Sequence, residues 1–353
     1  MVAAIEQISM SLKVSSHMLV SSNAIPDHSW QKALAKQITD PQELLRRLDL
    51  DPMMLGDSDE NMQRAGANFK TKVSEHFLSL MKKGDPNDPL LRQVLPTAQE
   101  LHRHPAAKTD PLEEQTLERD GNILQKYNSR ILITANSVCP VHCRYCFRRH
   151  YDYPSSATEE TIKTIETYAN RDDRISEVVF SGGDPLLCSD KQLARYIGAL
   201  EELPTIKTVR FHTRTPIAIP ERMTSQLLSL LSATSLNVVI VTHSNHANEI
   251  STEFVQAMRP FRQHATLLNQ SVLLRGINDS VTDLYTLSCA LFNAGILPYY
   301  IHLFDRVQGA MHFDVPQVQA ELLLAELRAV ASGYLVPKLV KEEPGALSKT
   351  AIA

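Results

Sequence analysis

Three cysteines stand in the run Cys139-Pro-Val-His-Cys143-Arg-Tyr-Cys146-Phe-Arg148-Arg149-His150, a C-x3-C-x2-C spacing that uses three of the chain's five cysteines. Thiolates packed this closely serve as metal ligands far more often than as core residues. Structural zinc takes four ligands, usually as two separated pairs. A [4Fe–4S] cube has four irons and is normally held by cysteine thiolates. Three local thiolates with no fourth nearby therefore leave one iron open to another ligand. A buried thiol cluster or a partial zinc site is the plainer alternative, and the spacing disfavours both.

The elements that must position such a loop follow from composition and periodicity. A chain of 353 residues with 43% hydrophobic content builds a sizeable core as two domains or as one large α/β barrel with an appendage. A formal net charge of −4 advertises neither nucleic acid nor an anionic membrane. No apolar run approaches the ~20 residues that span a bilayer. The first residues lack a basic n-region and an apolar h-region, so they are expected to form a loose tail rather than a signal peptide. Cys188 and Cys289 stand alone in their stretches, which is no disulfide framework. A soluble cytoplasmic protein is expected.

Asp40-Pro-Gln-Glu43 predicts a helix start, with Asp as N-cap, Pro in the first turn and Glu closing a capping box. Val73, Phe77, Leu80 and Met81 predict a second helix ending at Gly84. The proline-rich GDPNDPLLRQVLP that follows interleaves apolar residues with turn formers and reads as ordered irregular chain. From about residue 128, β-branched runs at 130–135, 177–181, 208–213, 236–243, 266–273 and 296–303 alternate with amphipathic segments such as 189–203. Six β–α units imply a parallel sheet with right-handed crossovers. Polar residues gather at the strand ends (Cys139, Ser181 to Asp184, Arg214, His243, Gln270, Asp305), where barrels place their chemistry. Six units are too few for a closed eightfold barrel. The expectation is an α/β fold, a partial TIM-like (β/α)6 barrel at 109–353 behind an N-terminal tail and helical region at 1–108.

The cysteine loop, with Tyr145 just before its last Cys, is similar to that of the radical S-adenosylmethionine (SAM) superfamily, where SAM chelates the open iron. The blocks CPVHCRYCFRRH, SGGDPLL, THSNHANE, LLNQSVLLRGIND, LPYYIHLFD, SGYLVPKL and PGALSKT, in this order, narrow the match. From about residue 84 onward the chain resembles the lysine 2,3-aminomutase family, most of all its short bacterial branch that makes β-lysine for modification of translation elongation factor P. The resemblance implies a [4Fe–4S] cluster on Cys139, Cys143 and Cys146, with SAM cradled by Ser181, Gly182, Gly183 and Asp184 and flanked by His243. Read alone, Gly-Gly-Asp-Pro is a β-to-α turn and His243 a structural histidine.

The resemblance also implies pyridoxal 5′-phosphate (PLP), with Lys349 forming the Schiff base although composition alone makes it an ordinary tail lysine. The family's glycine-rich loop is here reduced to Gly345 followed by Ala346, Leu347 and Ser348, and the given sequence ends at Ala353. Arg130 and Gln270 match positions for the PLP phosphate, and Tyr127 an aromatic residue beside the cofactor. Arg148 matches the residue that takes the substrate α-carboxylate, which a bidentate guanidinium suits; Arg149 is equally compatible with a structural role. Asp305 and Glu342 match two acidic positions for the lysine ε-ammonium, Glu342 standing where free-lysine enzymes carry Asp. The implied activity is conversion of L-lysine to β-lysine, with electrons from a flavodoxin or ferredoxin and the product passed to the ligase that modifies elongation factor P. Another cationic substrate such as arginine, a non-catalytic Fe–S electron-transfer protein, and a PLP enzyme with structural zinc are the rivals.

Overall fold

The computed structural model describes residues 29–352 other than 116, 118 and 154–156, so the opening tail lies outside the described residues. Ten strands cross one sheet in strict chain order. They are β1 (Arg119–Asp120), β2 (Ile123–Tyr127), β3 (Arg130–Asn136), β4 (Glu177–Gly182), β5 (Thr208–Thr213), β6 (Asn237–Thr242), β7 (Thr266–Val272), β8 (Leu297–His302), β9 (Lys338–Lys341) and β10 (Thr350–Ala351). Strands β3 to β9 are parallel neighbours. β1, β2 and β10 join antiparallel at the two ends. An order that never reverses winds in one direction, as in a barrel, and lacks the switch point of a doubly wound sheet. Among the described residues no pairing joins β1 to β10, so the barrel is open.

Among the described residues, four short helices precede the sheet: α1 (Ser29–Ala35), α2 (Pro41–Arg47), α3 (Asp59–Asn68) and α4 (Glu75–Ser79). The crossovers carry α5 (Thr158–Arg171), α6 (Asp190–Glu201), α7 (Thr215–Ala218), α8 (Ser225–Ala233), α9 (Thr252–Met258), α10 (Val281–Asn293) and α11 (Gln317–Val330). The six expected β–α units are present, and β9 adds a seventh parallel strand. That strand is four residues long and follows Pro337, so no run of alternation announced it.

Period-two alternation sorts the side chains of each strand. In β5, Val209 and Phe211 are fully buried against the helical layer, while Arg210 and His212 face a cavity inside the barrel. On α6, Leu193, Ile197 and Leu200 form the buried stripe, and Ser189 caps the first turn through its side chain. Trp30, Leu44, Leu45, Leu48 and Phe77 of the helical region belong to the same apolar cluster as Phe180, Phe211 and Ile240 of the sheet. The first hundred residues are thus packed onto the barrel, which matters for the site.

Local differences have local causes. Asp40 caps α2, its carboxylate accepting from the Gln42 N–H at 3.0 Å, but Glu43 pairs with Arg46 instead of reaching back. Val73 exchanges backbone hydrogen bonds with Ile38 and Ser74 caps the next turn, so α4 is shorter than its apolar spacing predicted. In the proline-rich connection Leu90, Leu91, Val94 and Leu95 are buried. No helix among the described residues is long and apolar enough to cross a membrane.

Candidate active site

One cavity of about 340 Å³, open to solvent, is lined by every candidate metal-, cofactor- and substrate-binding residue of the sequence analysis. Cys139, Cys143, Cys146, Ser181 to Asp184, His243, Arg148 and Asp305 line it at the C-terminal ends of the parallel strands. Tyr127, Arg130, Gln270, Glu342 and Lys349 line its deeper part and seam.

The cysteine loop between β3 and α5 has no regular structure of its own and is held by buried charge. Arg144 is fully buried and donates to both oxygens of Glu100, at 2.7 and 2.5 Å, and to the Phe69 carbonyl. Arg149 donates to the same Glu100 at 2.6 Å and to the carbonyls of Arg144 and Gly309. Arg149 is therefore structural. The His142 N–H donates to the Lys72 carbonyl and the Arg144 N–H to that of Gln93, which ties the loop to the helical region.

The three thiols share one end of the cavity, but no three His, Cys, Asp or Glu among the described residues converge closely enough to hold a single ion. As free thiols, Cys139 and Cys146 resist ionisation: burial and neighbouring sulfurs push Cys146 up to about 11 and Cys139 well above its usual value. A coordinated metal reverses this, because a ligating thiol is deprotonated outright. An all-sulfur donor set at a wide spacing fits an iron–sulfur cluster.

The Gly-Gly turn makes a close backbone contact. The Gly183 and Asp184 N–H groups donate to the Asn136 and Val138 carbonyls, both at 2.7 Å. Gly182 has φ +108, and a Cβ there would lie 2.7 Å from the Asn136 oxygen. The glycines thus let the end of β4 approach the chain leading into Cys139, rather than leave open amides for a ligand. Asp184 accepts from Thr213 Oγ1 and from the N–H groups of Leu186, Arg214 and Thr215. Its carboxylate clamps β4 to β5. Both nitrogens of His243 are likewise committed, Nδ1 donating to the Gln270 carbonyl at 3.0 Å and Nε2 accepting from the Tyr145 hydroxyl at 2.8 Å. Burial and Arg214 lower its pKa to about 4, so the ring is neutral and offers the cavity only its face.

The deeper part carries cations and unpaired polar atoms. Arg130 stacks over the Tyr127 ring at 4.3 Å. Arg210 is held by Glu177 at 2.9 Å, with its Nε buried and without a partner. Nε2 of His212 and of His302 are also buried and unpaired. Burial, then the Lys349 charge, lower His302 to about 3. Unsatisfied buried donors beside guanidinium groups are what a phosphorylated heteroaromatic cofactor would satisfy, so these residues fit PLP. Gln270 lies here, its amide 3.4 Å from His212 Nδ1.

Lys349 immediately precedes β10 and reaches Glu342, just beyond β9, at 3.0 Å. Glu342 also binds Lys126 at 3.1 Å and accepts from the Tyr127 hydroxyl at 2.7 Å. Burial opposes its ionisation, but Lys349 and Lys126 outweigh it and hold the carboxyl well below the usual range. These contacts bridge the open seam between β2 and β9. Asp305 has no ion-pair partner among the described residues, and burial together with Glu342 pushes it up to about 7. Arg148 is bound by Glu114 through Nε and Nη2 at 2.7 and 2.8 Å, and donates from Nη1 to Ser181. The expected acidic pair is therefore unequal, and the expected carboxylate clamp already carries a carboxylate. Glu100, Glu114, Lys126, Arg214, His212 and His302 were not singled out as site residues, because lone charged or imidazole groups carry no local pattern.

An open, singly wound parallel barrel with three cysteines after its first parallel strand is the arrangement of the radical SAM superfamily, whose family model matches residues 133–281. The chain is 43% identical over 94% of its length to the L-lysine 2,3-aminomutase of Escherichia coli (strain K12), covering 96% of that protein. It is 42% identical over 93% of its length to that of Haemophilus influenzae, again covering 96%. Among solved structures, a radical SAM methyltransferase from Sphaerobacter thermophilus matches 62% of this chain and 68% of that one at 16% identity, with a TM-score of 0.43. The chain belongs to the lysine 2,3-aminomutase family. Its members are isomerases that work with a [4Fe–4S] cluster, SAM and PLP.

Proposed function

We propose that the chain converts L-lysine to β-lysine by moving the amino group from C2 to C3. The observation that supports this is the single cavity in which three cysteines, a lysine at the seam, a guanidinium and a partnerless carboxylate face one another. The iron–sulfur cluster with SAM supplies a radical that takes and returns hydrogen, and PLP supplies the conjugated system through which nitrogen migrates. The protein's own residues bind, orient and exclude. Cys139, Cys143 and Cys146 hold the cluster, and Ser181 to Asp184 with His243 shape the wall beside it. Lys349 anchors PLP, with Tyr127 against its ring and Arg130 and Gln270 at its phosphate. Arg148 orients the α-carboxylate, and Asp305 with Glu342 selects a cationic side chain. The helical region up to residue 108 braces the cysteine loop, while 109–353 carries the chemistry.

In this reading the chain works in the cytoplasm with a flavodoxin- or ferredoxin-type donor. Its product feeds the ligase that modifies elongation factor P. Anaerobically reconstituted chain given L-lysine, SAM, PLP and a strong reductant should yield β-lysine by chromatography, and L-arginine in its place should yield none. No product from lysine, with iron and PLP verified on the chain, overturns the reading. Intact-mass analysis of elongation factor P from cells with and without the gene tests the pathway.

A further inference from the structure

We propose that Arg214 is a positioning residue for the iron–sulfur cluster that fixes Cys143 and raises the cluster's reduction potential. The proposal rests on Cys139, Cys143 and Cys146 holding that cluster. Arg214 follows β5 and is 5% exposed. Its Nη1 donates to Cys143 Sγ and to the Tyr145 hydroxyl, each at 2.7 Å. Its Nη2 donates to Gln93 Oε1 at 2.7 Å and to Glu249 Oε2 at 2.9 Å. Among the described residues it is the guanidinium that reaches a cysteine of the loop, because Arg144 and Arg149 are spent on Glu100 and Arg148 on Glu114.

The surroundings keep it there. Glu249 is fully buried, and its other oxygen takes Gln93 Nε2 and the N–H groups of Asn245 and His246. The Arg214 N–H is bound to Asp184 at 2.7 Å. Four side-chain acceptors around one planar group suit arginine and exceed the three donors of a lysine. The ion pair is oriented, with its positive member on the sulfur and its negative member behind.

Reduction adds one electron from an external donor to the cluster; no bond forms or breaks, and the site becomes more negative by one charge. A fixed cation and a hydrogen bond to a ligating sulfur stabilise that added charge and raise the potential.

The test is a potentiometric titration of the reconstituted full chain without SAM, followed by the EPR signal of the reduced cluster. Arg214→Gln should lower the midpoint, cutting the reduced-to-oxidised ratio at the wild-type midpoint by about tenfold, or ~59 mV for one electron. Glu249→Gln leaves the cation uncompensated and should shift the midpoint the opposite way, which general loosening would not do. Arg214→Lys should fall between Arg214→Gln and wild type. Unchanged midpoints at equal iron and sulfide content overturn the proposal. If the variants do not fold, wild-type chain carrying guanidino-15N arginine decides: pulsed EPR of the reduced cluster should show coupling to that nitrogen, and its absence overturns the proposal. Wild-type chain that binds no iron overturns the cluster reading instead.

Discussion

The two ends of the cavity are built on opposite principles. At the cluster end, the Arg144–Glu100–Arg149 triad is at most 2% exposed at its side chains, and Glu100 accepts from both guanidinium groups. Its anchors come from the helical region, which packs into the same core as the sheet. At the seam, Lys126, Lys349 and Glu342 are 14–17% exposed, and one carboxylate serves two ammonium groups. Beside them Asp305 has no ion-pair partner among the described residues, and burial disfavours its ionised form. The first arrangement holds charge in place; the second is a set of charges that can exchange partners when a cofactor and a cationic substrate arrive.

The largest expected effects separate the two ends. Cys143→Ala and Lys349→Ala should both abolish β-lysine formation. The first should lose iron and keep PLP absorbance on the purified chain, and the second should do the reverse. Loss of both groups in either variant would break the comparison.

Next comes stability. Glu100→Ala leaves two buried guanidinium groups without their carboxylate, which costs about 3–5 kcal/mol, read as a lower denaturant midpoint together with poor iron incorporation. Glu342→Gln at the half-open seam should move that midpoint far less and impair lysine turnover instead. A smaller effect is expected at Arg148. Lysine keeps the charge but loses the planar fork, so Arg148→Lys should raise the KM for L-lysine by roughly tenfold to a hundredfold, the scale of one charged hydrogen bond. A fall in kcat with unchanged KM would instead give Arg148 a role confined to the reacting state.

The barrel was legible because its six main strands are rich in β-branched, aliphatic or aromatic residues, and because turn residues separate them from helical stripes. β9 and β10 were not: four and two residues leave no period to read, and their strand pairing, β9 on β8 and β10 on β9, is visible only in the fold. The candidate site residues were legible as types at positions that the fold brings to one cavity, but not their partners. Nothing in the sequence around Glu100 or Glu114 distinguishes them from surface carboxylates; both became visible only when the fold set them against Arg144 and Arg148. The glycine pair shows the same limit from the other side. Its need for close backbone approach was readable, but what approaches is the cysteine loop itself.

The smallest effect probes the partnerless carboxylate. Asp305 titrates at about 7 because burial, and then Glu342, disfavour its ionised form. The lysine ε-ammonium is charged on both sides of that value and prefers the ionised carboxylate, so below pH 7 binding must release a proton. Lowering the pH from 8 to 6 should therefore raise the KM for lysine by roughly tenfold, since each unit below the pKa costs up to a factor of ten. Asp305→Asn should flatten the profile and hold KM near the acid value throughout. Stability carries the opposite sign. With the folded pKa above the unfolded one, the native state binds more protons between about pH 4 and 7, and the Asp305 contribution falls as pH rises through that range. Bound lysine supplies the missing counter-charge, so saturating substrate should reduce that part of the decline in the denaturant midpoint. A wild-type KM that is flat across pH 7 would show that Asp305 does not face the ammonium, and would leave Glu342 as the group that selects it.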